Sequence, residues 1–392
     1  MPTSSPSPSA RVDLDHAAST PPRPEARAAL SWWLEAANAS APHLAGQDAR
    51  AAVEEARDVV AGALGCSPHE VVFTAGGTEA DNLAVKGVVW AARDRHRGRI
   101  PHLVTTAVEH PAVAATARWL AERGDVHLDV VAPGRDGRVE VDRVLDAVRD
   151  DTALVSVMTA NNELGAVNDV ATLSAALRER GVALHTDAVQ AFATRDVDAP
   201  RVDALALSAH KFGGPQGVGI AVLRRGLAVE PLLHGGGQDR GVRSGTFATG
   251  LIAACAAAVA AATEDRATVR RRLVRLTDRL AAGALALDGV ERNGPTDADW
   301  RLASHVHLGL ADVDGTALAL ALDRGGVVAS SGSACGSGAA TTSPVLAACG
   351  LTTTPLRLSL GWTSTEADVD RALEVLTDVV PALRTPTARP VG

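Results

Sequence analysis

The chain has 392 residues, a net charge of −8, 46% hydrophobic residues and 21% charged ones, with a pI near 5.8. This is the composition of an ordinary globular protein with enough chain for one large domain or two. The acidic balance argues against a general binder of nucleic acid or membrane surface, because phosphate groups need a basic face.

In chain order, residues 1–11 form a Ser/Pro-rich tail, expected to be disordered and lacking the apolar core of a signal peptide. Helices are predicted over Ala26–Ala37 and Ala49–Leu64, a strand over Val71–Ala75, and a helix from Thr78 to Ala92 after Gly76-Gly77. Strands and helices then alternate: His102–Thr106, Pro111–Glu122, Val126–Val131, Val141–Val148, Ala153–Met158, Ala171–Arg180 and Val182–Thr186, followed by strands Ala204–Ser208 and Val218–Leu223. Such alternation predicts an α/β fold with a largely parallel sheet, and ligands at the carboxyl ends of its strands. A long helical stretch from Thr249 to about Ala286 leads toward a second unit. The expected division is a large domain over 12–262, a small α+β domain over 263–383 and a loose Pro-rich tail over 384–392. The longest apolar run, Leu251–Ala262, is shorter than the roughly 20 residues that span a bilayer. Cys66, Cys255, Cys335 and Cys349 form no CxxC pair and read as free thiols of a reducing cytoplasm.

The chain carries 38 Lys and Arg residues but only two lysines, Lys86 and Lys211, and no tyrosine. A lysine that survives amid arginines points to what arginine cannot do: an amine of tunable pKa forms a Schiff base. Lys211 stands in Ser208-Ala209-His210-Lys211-Phe212-Gly213-Gly214, where a strand meets a glycine turn. Asp187 ends an apolar strand, where a carboxylate is costly without a partner. A cationic ring nitrogen is one such partner, and an N-cap or an ion pair are others. In Gly76-Gly77-Thr78-Glu79-Ala80-Asp81, Thr78 and Asp81 fit an N-cap with its capping-box partner, and the glycines fit a phosphate-binding turn. Runs 234–238 and 243–246 suit phosphate as well, though each is unspecific alone. Cys335 lies among small residues in Ser330-Ser331-Gly332-Ser333-Ala334-Cys335-Gly336, with nothing bulky to bury it, as a reactive thiol requires. His305 and His307 alternate on a strand, but no third metal ligand stands near them in sequence.

Together these segments resemble the NifS/IscS-type cysteine desulfurases, in the class V aminotransferase group of fold type I pyridoxal-phosphate (PLP) enzymes. The likeness runs over about residues 12–383. It includes Leu14-Asp15, the GGTEADN run, Glu109-His110, Asn161 to Gly165, His185 to Gln190, Ser208 to Lys211, HGGGQDRGVRSGT, SSGSAC and Arg357 to Gly361. The resemblance implies a large domain with a mostly parallel seven-stranded sheet and a smaller α+β C-terminal domain. It makes Lys211 the lysine that holds PLP and later moves protons, Asp187 the partner of the pyridine nitrogen, and His110 the histidine stacked on the ring. Gln190 and Asn162 match polar contacts to cofactor or substrate. Gly77, Thr78, Ser208 and His210 match phosphate contacts. Thr246 matches a phosphate contact donated by a neighbouring subunit, which implies a homodimer. Arg357 matches the grip on the substrate carboxylate, and Cys335 the nucleophile that takes sulfur as a persulfide.

The sequence departs from the pattern at Ala209, Gly77, Ala39, His16 and the glycines after Cys335, none of which removes a catalytic group. The expected activity is conversion of L-cysteine to L-alanine, with sulfur passing to an acceptor protein such as an iron–sulfur scaffold or a thiolation enzyme. The alternatives are a selenocysteine lyase or another enzyme of the group and, in a different class, a catalytically idle sulfur-transfer scaffold. A scaffold need not retain Lys211, Asp187, His110 and Cys335 together.

Overall fold

The structure, a computed structural model, describes residues 11–95, 99–331 and 343–384. It opens with β1 (Val12–Asp13), α1 (Pro24–Trp32) and α2 (Leu44–Leu64). Next come β2 (Val71–Thr74), α3 (Gly77–Arg95), β3 (His102–Thr106), α4 (Pro111–Glu122), β4 (His127–Val131), α5 (Val141–Asp146), β5 (Thr152–Ser156), α6 (Val170–Glu179), β6 (Ala183–Asp187), β7 (Ala204–Ser208) and β8 (Gly219–Leu223). After α7 (Thr249–Leu285) follow β9 (Val290–Asn293), β10 (His305–Leu310), α8 (Gly315–Arg324), β11 (Val327–Val328), α9 (Pro344–Ala348), β12 (Thr354–Ser359) and α10 (Glu366–Leu383).

Seven strands form the central sheet in the order β2-β8-β7-β6-β5-β3-β4. All run parallel except β8, which pairs antiparallel with both β2 and β7. The link from β7 to β8 is short and holds no crossover helix, so the returning strand runs antiparallel. The strands are nearly continuous apolar runs because helices cover both faces. Leu154, Val155, Leu205, Leu207 and Ile220 are each 0–1% exposed.

The expected helix over Ala26–Ala37 ends at Trp32. Ala26 is the one buried residue of α1, while Trp32 and Leu34 are 80% and 75% exposed.

α7 ties two cores together. Ile252, Cys255 and Val259 in its first half belong to the core of the seven-stranded sheet. Val269, Leu273, Leu276 and Leu280 in its second half join a separate cluster with β10, β12 and α10. That cluster sits on the antiparallel sheet β12-β10-β9 and also takes in Val12 and Leu14. The chain's first strand therefore pairs with β11, in parallel, far along the sequence. Among the described residues, no helix is long and apolar enough to cross a membrane.

Candidate active site

The carboxyl ends of the parallel strands converge on one cavity of about 890 Å³. β2 leads to Gly77 and Thr78, β3 to His110, β5 to Asn162, β6 to Asp187 and Gln190, and β7 to Ser208, His210 and Lys211, all on the cavity wall. Arg357 reaches the same wall from β12 of the other sheet. Of the sequence-predicted site residues that are described, every one except Thr246 lines this space.

Local sequence explains the placement. Pro111 occupies the first turn of α4, where its missing N–H costs nothing. His110 is the N-cap, and its Nδ1 accepts a hydrogen bond from the Ala112 N–H at 3.1 Å. That contact fixes which ring nitrogen remains available to the cavity. Gly77 begins α3 so close to its neighbours that a Cβ there would sit 3.0 Å from Val189 Cγ2 and 3.2 Å from Ser208 Cβ. Glycine at this position lets the helix N-terminus approach the strand ends, an arrangement favourable to a phosphate.

Asp187 is 4% exposed, and its Oδ1 accepts the Val189 N–H at 2.9 Å. Burial pushes its carboxyl above the ordinary value, opposed by His110, by that N–H and by Lys211. Burial lowers His110, with Asp187 acting to raise it and Lys211 to lower it. His210 is pushed down to about 4, by burial first and by Lys211 second. Both histidines are therefore neutral near pH 7. A cation placed against Asp187 relieves the cost of that buried carboxylate.

Residues 15–20 form a strap that holds several site groups, with Ala17 and Ala18 on the cavity wall. Lys211 Nζ donates to the carbonyls of Ala17 at 2.7 Å and Ala18 at 2.9 Å. Gln190 Nε2 donates to the Ala17 carbonyl at 3.0 Å, and His210 Nδ1 meets Ser19 Oγ at 3.2 Å. Arg357 donates through Nη2 to Asp15 Oδ1 at 2.7 Å and through Nη1 to the Asn162 carbonyl at 3.0 Å. Behind the strap, His16 packs on Gly361, where any Cβ would lie 2.1 Å from the ring Nδ1. The imidazole fills that space and bonds Thr20 Oγ1 at 2.7 Å.

Thr246 is exposed and lies outside the cavity wall. Its loop stays close, since Arg243 pairs with the cavity residue Glu79 at 2.9 Å. Cys335 lies outside the described residues. Of the described chain on either side of it, Ser330 pairs with Arg357 through the backbone, and Ser343 Oγ donates at 2.8 Å to Oε1 of Glu163, the neighbour of the cavity residue Asn162. His305 and His307 are buried on β10, and each is pushed down to about 3, chiefly by burial.

Sequence reading misplaced Asp81. α3 starts at Gly77, so Thr78 falls within the first turn rather than at the cap. Asp81 is 1% exposed and lines the cavity, with its Oδ1 3.4 Å from His185 Nε2. Asp81, His110 and Asp187 present oxygen and nitrogen atoms within 4.8 Å of one another. A carboxylate on the inward face of an N-terminal turn looks like a cap in sequence, and only the packing of α3 on β6 distinguishes the two. Asp15 stands in the Leu14-Asp15 motif, but no one-dimensional signal joins it to Arg357, 342 residues away.

The Aminotransferase class-V family model matches residues 12–372. An IscS-like cysteine desulfurase of Mycobacterium tuberculosis is 46% identical over 387 residues, covering 95% of this chain and 96% of its own. A solved NifS-like protein superposes with a TM-score of 0.87 at 30% identity, covering 95% of this chain and 100% of its own. A structure described as SspA in complex with cysteine superposes with a TM-score of 0.76 at 30% identity, covering 88% of this chain and 98% of its own. With the family's span covering nearly all of the described fold, the chain belongs to the class-V aminotransferases, among the IscS- and NifS-like cysteine desulfurases.

Proposed function

We propose that this protein is a PLP-dependent cysteine desulfurase that converts L-cysteine to L-alanine and carries the sulfur away as a persulfide on Cys335. The observation that carries the reading is the meeting, in one cavity, of an amine, a buried carboxyl, a neutral imidazole and a carboxylate-binding guanidinium: Lys211, Asp187, His110 and Arg357. The site fits PLP in its charges. Asp187 is a buried carboxyl in need of a cation, and the N-terminus of α3 with Thr78, Ser208 and His210 offers donors to a phosphate.

When bound, PLP supplies an aldehyde carbon that joins amines and a cationic ring that takes up electrons from the substrate. Lys211 would hold it and move protons at Nζ, steered by the Ala17 and Ala18 carbonyls. Asp187 would supply the negative charge for its ring nitrogen, and His110, Gln190 and Asn162 would be the side chains that hold cofactor and substrate in the cavity. Arg357 grips the substrate carboxylate, a task suited to its planar fork. The Cys335 thiolate attacks the substrate sulfur. A new S–S bond forms as the C–S bond breaks, and a proton taken up at carbon completes alanine. In support of this reading, Ser330 bridges to Arg357 of the cavity wall and Ser343 bonds Glu163, the neighbour of Asn162 of that wall.

The same reading makes Thr246 a phosphate contact given to a second copy in a homodimer. It takes 12–262 as the PLP-binding domain and 263–383 as the small domain. It also implies a cytoplasmic enzyme that hands sulfur to an acceptor protein. The direct test is product analysis. Incubation with L-cysteine and a thiol reductant should yield alanine and sulfide in equal amounts with no keto acid added. A requirement for a keto acid would contradict the reading and make the protein an aminotransferase.

A further inference from the structure

Asp81 is a buried carboxyl of the cavity wall that the assigned roles leave unused. It projects from the second turn of α3, is 1% exposed, and shares the cavity wall with Asp187 and His110. Its Oδ1 and the Nε2 of His185 lie 3.4 Å apart, and neither has a hydrogen-bond partner. The other ring nitrogen of His185 bonds Ser156 Oγ at 2.8 Å, and the imidazole is 0% exposed. A line of groups therefore runs from Ser156 through His185 to Asp81 and stops beside Asp187. A single proton between Nε2 and Oδ1 would satisfy both orphaned atoms at once.

The surroundings decide who holds that proton. The titratable groups facing Asp81 are His185 and Asp187 from β6, and Glu109 and His110 from the turn before α4. The neighbouring residues of β7 and β8 are Ala204, Ala206 and Ala221. The cation that faces this group is Lys211, which acts on Asp187 and His110 and so favours the charge on Asp187 over one on Asp81. Two carboxylates this close in a dry place do not both ionise.

We propose that Asp81 is a positioning residue for Asp187: the two carboxyls act as a one-proton pair in which Asp81, held by His185, keeps the proton and Asp187 carries the charge. The proposal rests on the reading that a cationic ring nitrogen sits at Asp187. The function of the pair is to present a single negative charge on one side of the cavity floor, aimed at that nitrogen. Burial raises Asp81 well above its ordinary value, with Asp187 and Glu109 adding to the shift. A carboxyl raised in the folded state stabilises the fold below its unfolded pKa and loses that contribution as pH rises through the folded one.

The pair makes a prediction that a merely structural aspartate does not. In Asp187→Asn, Asp81 is relieved of its charged neighbour, ionises and partly replaces the lost charge. Equilibrium binding of PLP, read by absorbance, should fall about tenfold to a hundredfold in Asp187→Asn, and Asp81→Asn should have the smaller effect of the two. The double variant should bind at least about tenfold more weakly than the product of the two single effects. If the double effect equals that product, or if Asp81→Asn is as damaging as Asp187→Asn, the pair does not exist. A second readout needs no cofactor. The melting temperature of the cofactor-free wild type should fall more steeply between about pH 5 and pH 8 than that of Asp81→Asn, and parallel curves would overturn the proposal. Tight binding of Zn²⁺ to the cofactor-free protein, lost in Asp81→Asn, would also overturn it, by making the trio a metal site. Failure of the wild type to bind PLP would instead contradict the cofactor reading, and the melting curves would still judge Asp81.

Discussion

Arg357 and Asp15, 342 residues apart in sequence, form an ion pair of 2.7 Å at the cavity wall, with side chains 7% and 20% exposed. Asp15 and the Asn162 carbonyl take one donor from each end of the guanidinium fork. The fork is thus set in position before any substrate arrives. Arg357→Ala should leave PLP bound and weaken L-cysteine binding by roughly tenfold to a hundredfold, the loss of about 1.5–3 kcal/mol for a charge-assisted pair. Spectral titration with cysteine checks it, and unchanged affinity would make Arg357 a structural residue. Asp15→Ala should act in the same direction with a smaller loss, because it disturbs the fork without removing it.

Lys211 is one of two lysines, and the other, Lys86, lies on α3 over the ring of Trp119 at 4.5 Å, outside the cavity wall. Borohydride reduction of the yellow protein should therefore leave a single modified peptide, the one containing Lys211. Lys211→Ala should give a protein without that adduct. An adduct on Lys86 would contradict the assignment.

Glu109 gives a pH signature. It is 4% exposed, accepts from Thr106 Oγ1 at 2.7 Å and from the Met158 N–H at 2.9 Å, and is pushed up to about 8, chiefly by burial. Its folded pKa lies above its unfolded one. Its contribution to stability is thus fully present below about pH 4.5 and is lost as pH rises through about 8. Glu109→Gln should flatten the fall in melting temperature across that range. An unchanged slope would show that the group does not titrate there.

Phe212, next to Lys211, meets Phe192 edge to face with centroids 4.9 Å apart, and both rings are 0–1% exposed. Phe212→Ala should cost about 3–5 kcal/mol by emptying a packed site, measured by denaturant unfolding. It should also loosen the turn that aims Lys211, so PLP binding should weaken as stability falls.

Much of this was legible in one dimension because strand ends, glycine turns and a rare lysine are local signals. β3, α4 and β7 begin and end where their apolar patterns do, and β2, β3, β5, β6 and β7 each lead to a polar site residue beyond their carboxyl ends. What was not legible depends on packing across the chain. Asp15 touches Arg357 only because β1 pairs with β11 and Asp15 itself bridges to Ser359. Asp81 faces the cavity only because α3 lies across β6 and β7.

The most direct measurement is the fate of sulfur on Cys335. A short incubation of the wild type with L-cysteine and no reductant should add one sulfur to the peptide containing Cys335, read by mass spectrometry. The buried thiols argue against the alternatives: Cys255 is pushed up to about 12 and Cys66 and Cys349 to about 11, chiefly by burial, so none is a thiolate near pH 7. Cys335→Ser should keep the yellow colour and its spectral response to cysteine while forming no alanine. Sulfur found on Cys66, Cys255 or Cys349 instead, or normal alanine formation by Cys335→Ser, would contradict the desulfurase mechanism proposed for this chain.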